Sequence, residues 1–454
     1  MPRRVIVSTG LFVFSIILII SIIPIRNYID KKLGINNAYE VVDIFDSNIT
    51  CDNLSPIGYH LVDAYNCWEN TRPVTLTEKD KKEIRDWFES KKENLPDNKY
   101  KAIFKGKNLI VIQVESLENF VINQKINGQE ITPNLNRLLK NSIYFSNICE
   151  QVNNGMSSDA DLMTNTSIYP IRAGSTFFRY PLTQYSHSLP KLLRKKGYQT
   201  VAYHPDKGSF WNWMPALKSI GFEKCVDSSS YNLSDSIGLG ISDASYLKQI
   251  EPMIAKQRQP FFSFVVTLTS HMPFNLPNNL RDLKLDTELD KSYLGGYFQS
   301  IHYTDKYLGA FIENLNRDKL LDNTVVVIYG DHEGIHRFYP EDVKNARPSL
   351  KWWLDNQKKT PLIFYQNHYF EEDPDTIGGE IDILPTICYL LGVDESNYTN
   401  SAMGRNLLKT KKSFVVLENK KVVSANLKEN EKNQAIKGLD LADKIIRSNY
   451  FKNY

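Results

Sequence analysis

Four short runs in the middle of the chain are apolar at nearly every position: Asn108 to Val114 (NLIVIQV), Tyr198 to Tyr203 (YQTVAY), Phe261 to Leu268 (FFSFVVTL) and Thr324 to Tyr329 (TVVVIY). Continuous runs of β-branched and aromatic residues of this length read as strands buried on both faces. Between them the spacing turns helical. Leu135, Leu138 and Leu139 share a face within Thr132 to Asn141, and Leu192 and Leu193 precede Gly197 at the end of Leu189 to Lys196. Leu308, Phe311, Ile312 and Leu315 share a face within Ile301 to Leu315. Strands alternating with helices predict an α/β fold around a central, mainly parallel sheet flanked by helices.

The flanking regions differ. Val5 to Ile25 carries no charge over 21 residues, long enough to span a bilayer as a helix. It follows Pro2-Arg3-Arg4 as a signal peptide would, but it is long and lacks a small-residue cleavage site, so an uncleaved transmembrane anchor over residues 1–30 is expected. Arg3 and Arg4 before it are matched by Arg26, Lys31 and Lys32 after it, so charge does not orient the span. Residues 31–105 read as a connector holding a solvated spacer helix, Leu76 to Lys92, capped by Thr75 or Thr77. Residues 106–410 form the expected α/β domain and residues 411–454 a C-terminal tail. From Lys409 onward the chain has 11 Lys/Arg against 5 Asp/Glu, which reads as a solvated terminal segment, with contact to an anionic surface as the alternative.

Composition adds mainly exclusions. The chain has 454 residues and a net charge of +3, with no basic stripe interleaved with aromatics, so nucleic acid is not an expected partner. None of the five cysteines forms a C-x-x-C pair. Cys51 and Cys67 are close enough for a local disulfide in an oxidising compartment, and the reading of two separate thiols stands beside it.

The chemistry collects at the ends of the four runs. Glu115 and Ser116 follow the first, His204 and Asp206 the second, His271 the third, and Asp331 and His332 the fourth. Ligands of open α/β sheets bind beyond the carboxyl ends of the strands, so these residues are expected at one site. Glu115, Asp331 and His332 suit Mn²⁺, Mg²⁺ or Zn²⁺. The segment QVNNGMSSD, Gln151 to Asp159, leads into a helix, and a serine there has its alkoxide favoured by exposed N–H groups. From the segment alone, Ser157 or Ser158 is either a nucleophile or a helix cap.

Over residues 55–408 the chain resembles the lipoteichoic acid synthase family of the sulfatase and alkaline phosphatase superfamily. The ordered segments VIQVESLENFVIN, EITPNLNRLLKNSIYFSN, NNGMSSDADLMTNTSIYPI, KGSFWNW, VVTLTSHMPF and VIYGDHEGI, and a late ILPTI followed by LGV, carry the resemblance. It implies an alkaline phosphatase-like fold. It implies Glu115, Ser157, Asp331 and His332 around one divalent metal ion, usually Mn²⁺, with Ser157 at the position of the threonine nucleophile. His271, His204, Asp206 and Trp211 would bind substrate. The implied donor is phosphatidylglycerol, and the acceptor is a glycolipid or growing glycerophosphate polymer outside the cell membrane. Three departures stand out: serine for threonine at 157, Trp213 where the family has a phosphate-binding arginine, and one apolar span where relatives commonly have five. Phosphoethanolamine transfer, phosphodiester hydrolysis and sulfate hydrolysis are the alternatives within the superfamily. The C/S-x-P-x-R motif of sulfatases is absent after Ser157. A non-catalytic surface protein is disfavoured by the intact Glu, Ser, Asp, His set.

Overall fold

In β1, Asn108–Val114, every side chain is buried, and alternate residues feed two cores. Leu109 and Val111 join one; Ile110, Ile112 and Val114 join the other. Each such aliphatic side chain contributes about 1.5–3 kcal/mol on burial, so the strand is committed to the centre of a two-faced sheet. The computed structural model describes residues 74–453 except 355–357 and 370, with a few isolated positions before residue 74. Val5 to Ile25 lies almost entirely outside the described residues, as do Cys51 and Cys67. No helix among the described residues is long and apolar enough to cross a membrane. Leu76–Tyr454 forms one compact unit.

The other strands of the sheet are β2 (Ser142–Cys149), β3 (Gln199–Tyr203), β4 (Lys224–Val226), β5 (Phe261–Val266), β6 (Thr324–Gly330), β7 (Lys359–Tyr365) and β8 (Gly378–Gly379). Their order is β8-β2-β7-β6-β1-β5-β3-β4. All neighbours pair in parallel except β7, which runs against both β6 and β2. One face is covered by α3 (Ser157–Thr166), α4 (Leu189–Arg194), α5 (Trp213–Ile220) and α8 (Ile383–Leu390). The other is covered by α2 (Pro133–Leu139), α6 (Asp243–Ala255) and α7 (Tyr293–Arg317). The predicted mainly parallel α/β sheet is therefore present, with both faces covered as such sheets require.

Three expectations are revised. The helix expected from Ile301 begins at Tyr293, capped by Ser292 Oγ, which accepts from Gly295 N at 3.1 Å. The glycines in its first turns, packed against Leu289 and Phe274, hid it. The spacer helix is not solvated: α1, Glu78–Ser90, carries the expected Thr77 cap but buries Ile84, Trp87 and Phe88. The tail is likewise folded, as the hairpin β9 (Phe414–Val416) and β10 (Val422–Ser424) and the helix α9 (Glu429–Arg447). Leu439, Ala442, Ile445 and Ile446 recur on one face of α9 and join the core that holds Trp87 and Phe88. The count of charges concealed this amphipathic face.

Because β1, β2, β3, β5 and β6 point the same way, the residues that follow them gather at one edge. The reversal of β7 brings its start, Lys359, opposite Cys149 at that edge. At the end of β6 an added Cβ on Gly330 would stand 1.9 Å from Leu117 O, so only glycine lets β6 close on the turn after β1.

Candidate active site

Glu115 and Asp331 leave adjacent strands and are almost wholly buried. Asp331 Oδ1 accepts from Ser116 N and from His332 N, both at 2.8 Å, while its Oδ2 has no hydrogen-bond partner among the described residues. Glu115 Oε1 accepts from Ser116 Oγ at 2.8 Å, and the Glu115 carbonyl accepts from Ser270 Oγ at 2.6 Å. His332 Nδ1 faces Glu333 O at 2.7 Å and so carries the proton, leaving the Nε2 lone pair on the site side. That Nε2 is 3.5 Å from Glu115 Oε1 and 3.7 Å from Asp331 Oδ2. Burial, and then the charge of Asp331, raises the Glu115 carboxyl above its usual range; burial pushes Asp331 up to about 6. Two buried carboxylates that repel each other, an orphaned buried oxygen and an imidazole lone pair fit a divalent cation. Ligand atoms of Glu115, Asp331 and His332 all lie within 4.8 Å of one another, and no other such group is found among the described residues.

Ser157 opens α3. Its Oγ donates to Glu115 Oε2 at 2.9 Å and lies 3.3 Å from His332 Nε2. The N-cap is Met156, at φ 47° and ψ −123°, so neither serine caps the helix. Ser158 Oγ turns away and donates to Gly155 O at 2.7 Å. The tight turn before them is shaped by Asp159, whose Oδ2 accepts from Asn153 N at 3.0 Å and Gly155 N at 2.9 Å. A Cβ at Gly155 would meet that carboxylate at 2.1 Å. A non-glycine residue held at positive φ beside a reactive group is strain of the kind found at functional sites.

The remaining residues singled out by sequence divide. Asp206 and His271 stand close enough to Glu115 to feel its charge: burial pushes Asp206 up to about 6, with His271 opposing and Glu115 adding. His204 is set behind them. Its ring stacks on Trp213 with centroids 4.6 Å apart, its Nδ1 accepts from Asp206 N at 3.1 Å, and burial lowers it to about 3, so it is neutral. Trp213 is buried, with Nε1 donating to Lys207 O at 2.9 Å, and brings no charge to the position. Trp211, half-buried at φ 51°, lies on the Phe210–Asn212 turn.

Residues missed by sequence reasoning clamp the loop that carries His332. Glu118 accepts from Gly334 N at 2.9 Å, His336 N at 3.2 Å and His336 Nδ1 at 2.6 Å. Glu150 accepts from Glu333 N at 2.6 Å, from Arg337 and from Lys358 Nζ at 3.3 Å. Arg337 also reaches Met156 Sδ at 3.5 Å, joining this loop to the turn before Ser157. The one sequence signal was position: both glutamates follow strand ends, as Glu115 does.

This fold and residue set define the alkaline phosphatase and sulfatase class. The chain belongs to the sulfatase family, whose model matches residues 107–393. It is 33% identical over 383 residues to lipoteichoic acid synthase 1 of Bacillus subtilis, covering 83% of this chain and 56% of that protein. The chain thus spans little more than half the length of that relative. The crystal structure of the lipoteichoic acid synthase LtaP from Listeria monocytogenes superposes with a TM-score of 0.70 at 27% identity, over 80% of this chain and 98% of that one. The Streptococcus pyogenes phosphoglycerol transferase GacH, solved with sn-glycerol-1-phosphate, shares the fold with a TM-score of 0.55 at 20% identity, over 82% and 94%.

Proposed function

We propose that the chain is a phosphoglycerol transferase that moves glycerophosphate from phosphatidylglycerol, through a covalent Ser157 intermediate, to a glycolipid or glycerophosphate-polymer acceptor. The observation that carries this reading is the Ser157 hydroxyl, 2.9 Å from Glu115 and 3.3 Å from His332 Nε2, amid the buried Glu-Asp-His donors. The lipoteichoic acid synthase relatives support it.

Glu115, Asp331, His332 and Ser157 would hold one divalent ion, for which we assign Mn²⁺; Mg²⁺ and Zn²⁺ suit the same donors. When bound it lowers the pKa of the serine hydroxyl and balances charge on the phosphoryl oxygens. In the first step Ser157 Oγ gives its proton to solvent and bonds to phosphorus, the bond from phosphorus to the diacylglycerol oxygen breaks, and that oxygen takes a proton. We assign the proton to His271. In the second step the acceptor hydroxyl gives its proton to His271 and attacks phosphorus, the Ser157–phosphorus bond breaks, and Oγ regains a proton from solvent. One phosphodiester replaces another at each step, so no further reactant is needed. Asp206 and Trp211 bind the glycerol, and His204 orients Asp206 through its backbone N–H. The Val5 to Ile25 span holds the domain at the outer face of the cell membrane.

The test is incubation of the full chain with labelled phosphatidylglycerol and Mn²⁺. Diacylglycerol with label in polymer or on an acceptor is the expected result. Diacylglycerol with free glycerophosphate would make the chain a hydrolase, and no turnover would sink the assignment.

A further inference from the structure

The rim of the site carries side chains that the chemistry does not use. Among the described residues of this unit seven large apolar side chains are exposed: Leu182, Leu233 and Leu354, together with Phe178 (44% exposed), Phe210 (50%), Leu239 (57%) and Tyr293 (46%). Each of the last four is tied to the site. The Thr176–Arg179 helix carrying Phe178 starts from Ser175, whose Oγ lies 3.3 Å from Ser158 Oγ. The turn carrying Phe210 is fastened to that helix by Asn212 Nδ2, which donates to Phe178 O at 3.2 Å. Leu239 precedes Gly240, where a Cβ would stand 2.9 Å from Leu268 and 3.8 Å from Asp206. Tyr293 stacks on Tyr339 at 3.8 Å between centroids, Tyr339 meets Phe274 edge-on at 6.0 Å, and Phe274 N donates to His271 O at 3.1 Å.

Phe178 on its short helix, Phe210 and Leu239 on turns and Tyr293 at the start of α7 thus belong to separate segments, each joined through contacts to residues of the site. Exposed Lys207 and half-buried Arg179 lie beside Phe210 and Phe178, neither in an ion pair among the described residues; Arg179 Nη1 donates to Ala173 O at 2.8 Å, which leaves its other N–H groups for an anion. A protein partner seated on these segments would close the mouth. A lipid leaflet would instead supply the substrate: aromatic and aliphatic tips sit at headgroup depth, and cations meet anionic headgroups. The uncharged stretch Val5 to Ile25 gives the same chain a separate reason to be at a bilayer.

We propose that this rim is a bilayer-docking surface. Phe178, Phe210, Leu239 and Tyr293 enter the headgroup region of an anionic leaflet, with Lys207 and Arg179 on its phosphates, so that a lipid phosphodiester reaches Ser157 without leaving the membrane. The inference rests on Ser157 being the group that attacks a lipid diester.

The test uses the full chain in nanodiscs of phosphatidylcholine and phosphatidylglycerol containing a trace lipid with a photoreactive diazirine near the acyl carbonyl. After illumination, adducts are expected on the tryptic peptides that contain Phe178 and Phe210. A Phe178→Ser, Phe210→Ser double variant should lose the adducts and turn over bilayer phosphatidylglycerol about tenfold more slowly, with its rate on water-soluble dihexanoyl phosphatidylglycerol unchanged. Absence of adducts from these peptides overturns the proposal, and so does a variant that slows both diesters equally or neither. If the unmodified protein turns over neither diester, the reading of Ser157 fails, and the adduct pattern alone decides the surface.

Discussion

Ser157 and Ser158 are neighbours with different surroundings, and their substitution separates chemistry from packing. Ser157→Ala removes the hydroxyl beside Glu115 and His332 and should abolish both turnover and the covalent intermediate, read by mass spectrometry of the donor-treated protein. Ser158→Ala removes a hydrogen bond to Gly155 O and should cost about 1 kcal/mol of stability while most activity remains. A labelled Ser158, or full activity in Ser157→Ala, would exchange their roles. The residues alone left the two serines open, because the choice depends on helix phase. That phase is set by Met156 at positive φ and by the Asp159 carboxylate inside the Gly155 turn, neither of which has a sequence pattern. The metal-type donors were legible because strand ends announce them. Glu118 and Glu150 were not, since what they hold lies 218 and 183 residues away.

At the scale of elements, the loop after β6 is held by a buried ion pair. His336 donates from Nδ1 to Glu118 and faces Trp353 O with Nε2 at 2.7 Å, so both ring nitrogens serve acceptors and the ring is charged. Burial alone would lower its pKa; the hydrogen bond and charge of Glu118 outweigh that and raise it. The sign follows: the pair's stability is fully present below the unfolded histidine pKa, about 6.5, and is lost as pH rises through the higher folded value. His336→Gln should destabilise by about 3 kcal/mol at low pH. In thermal melts its deficit against the unmodified protein should shrink as pH rises from 6 to 9; a constant deficit would show that His336 is neutral when folded. Among the strands, β1, β3, β5 and β6 were legible as unbroken apolar runs. The other four were not, and β2 and β7 show why. In β2, burial breaks alternation, and β7 holds Pro361 at the register shift between Thr360 and Leu362, where a missing N–H is tolerated.

For the whole molecule, a bound divalent ion should act as a stabiliser as well as a cofactor. At a hundred times its Kd such a ligand adds about 2.7 kcal/mol, a shift of a few degrees in Tm for a domain of this size. Chelation should lower Tm, Mn²⁺ should restore it, and His332→Ala should lose the response; an unresponsive parent protein would remove the cation from this site. The central strand pair adds a consequence in time. Ser116 N meets Asp331 across 215 residues of chain, through the β1–β6 pairing. A polypeptide emerging from its amino end therefore carries no cation cage, however much of it has appeared, until residue 332 has joined the sheet. Contacts of such long range form late. An ion at this site would thus be taken up only after β1 and β6 have paired, from the compartment in which that pairing occurs.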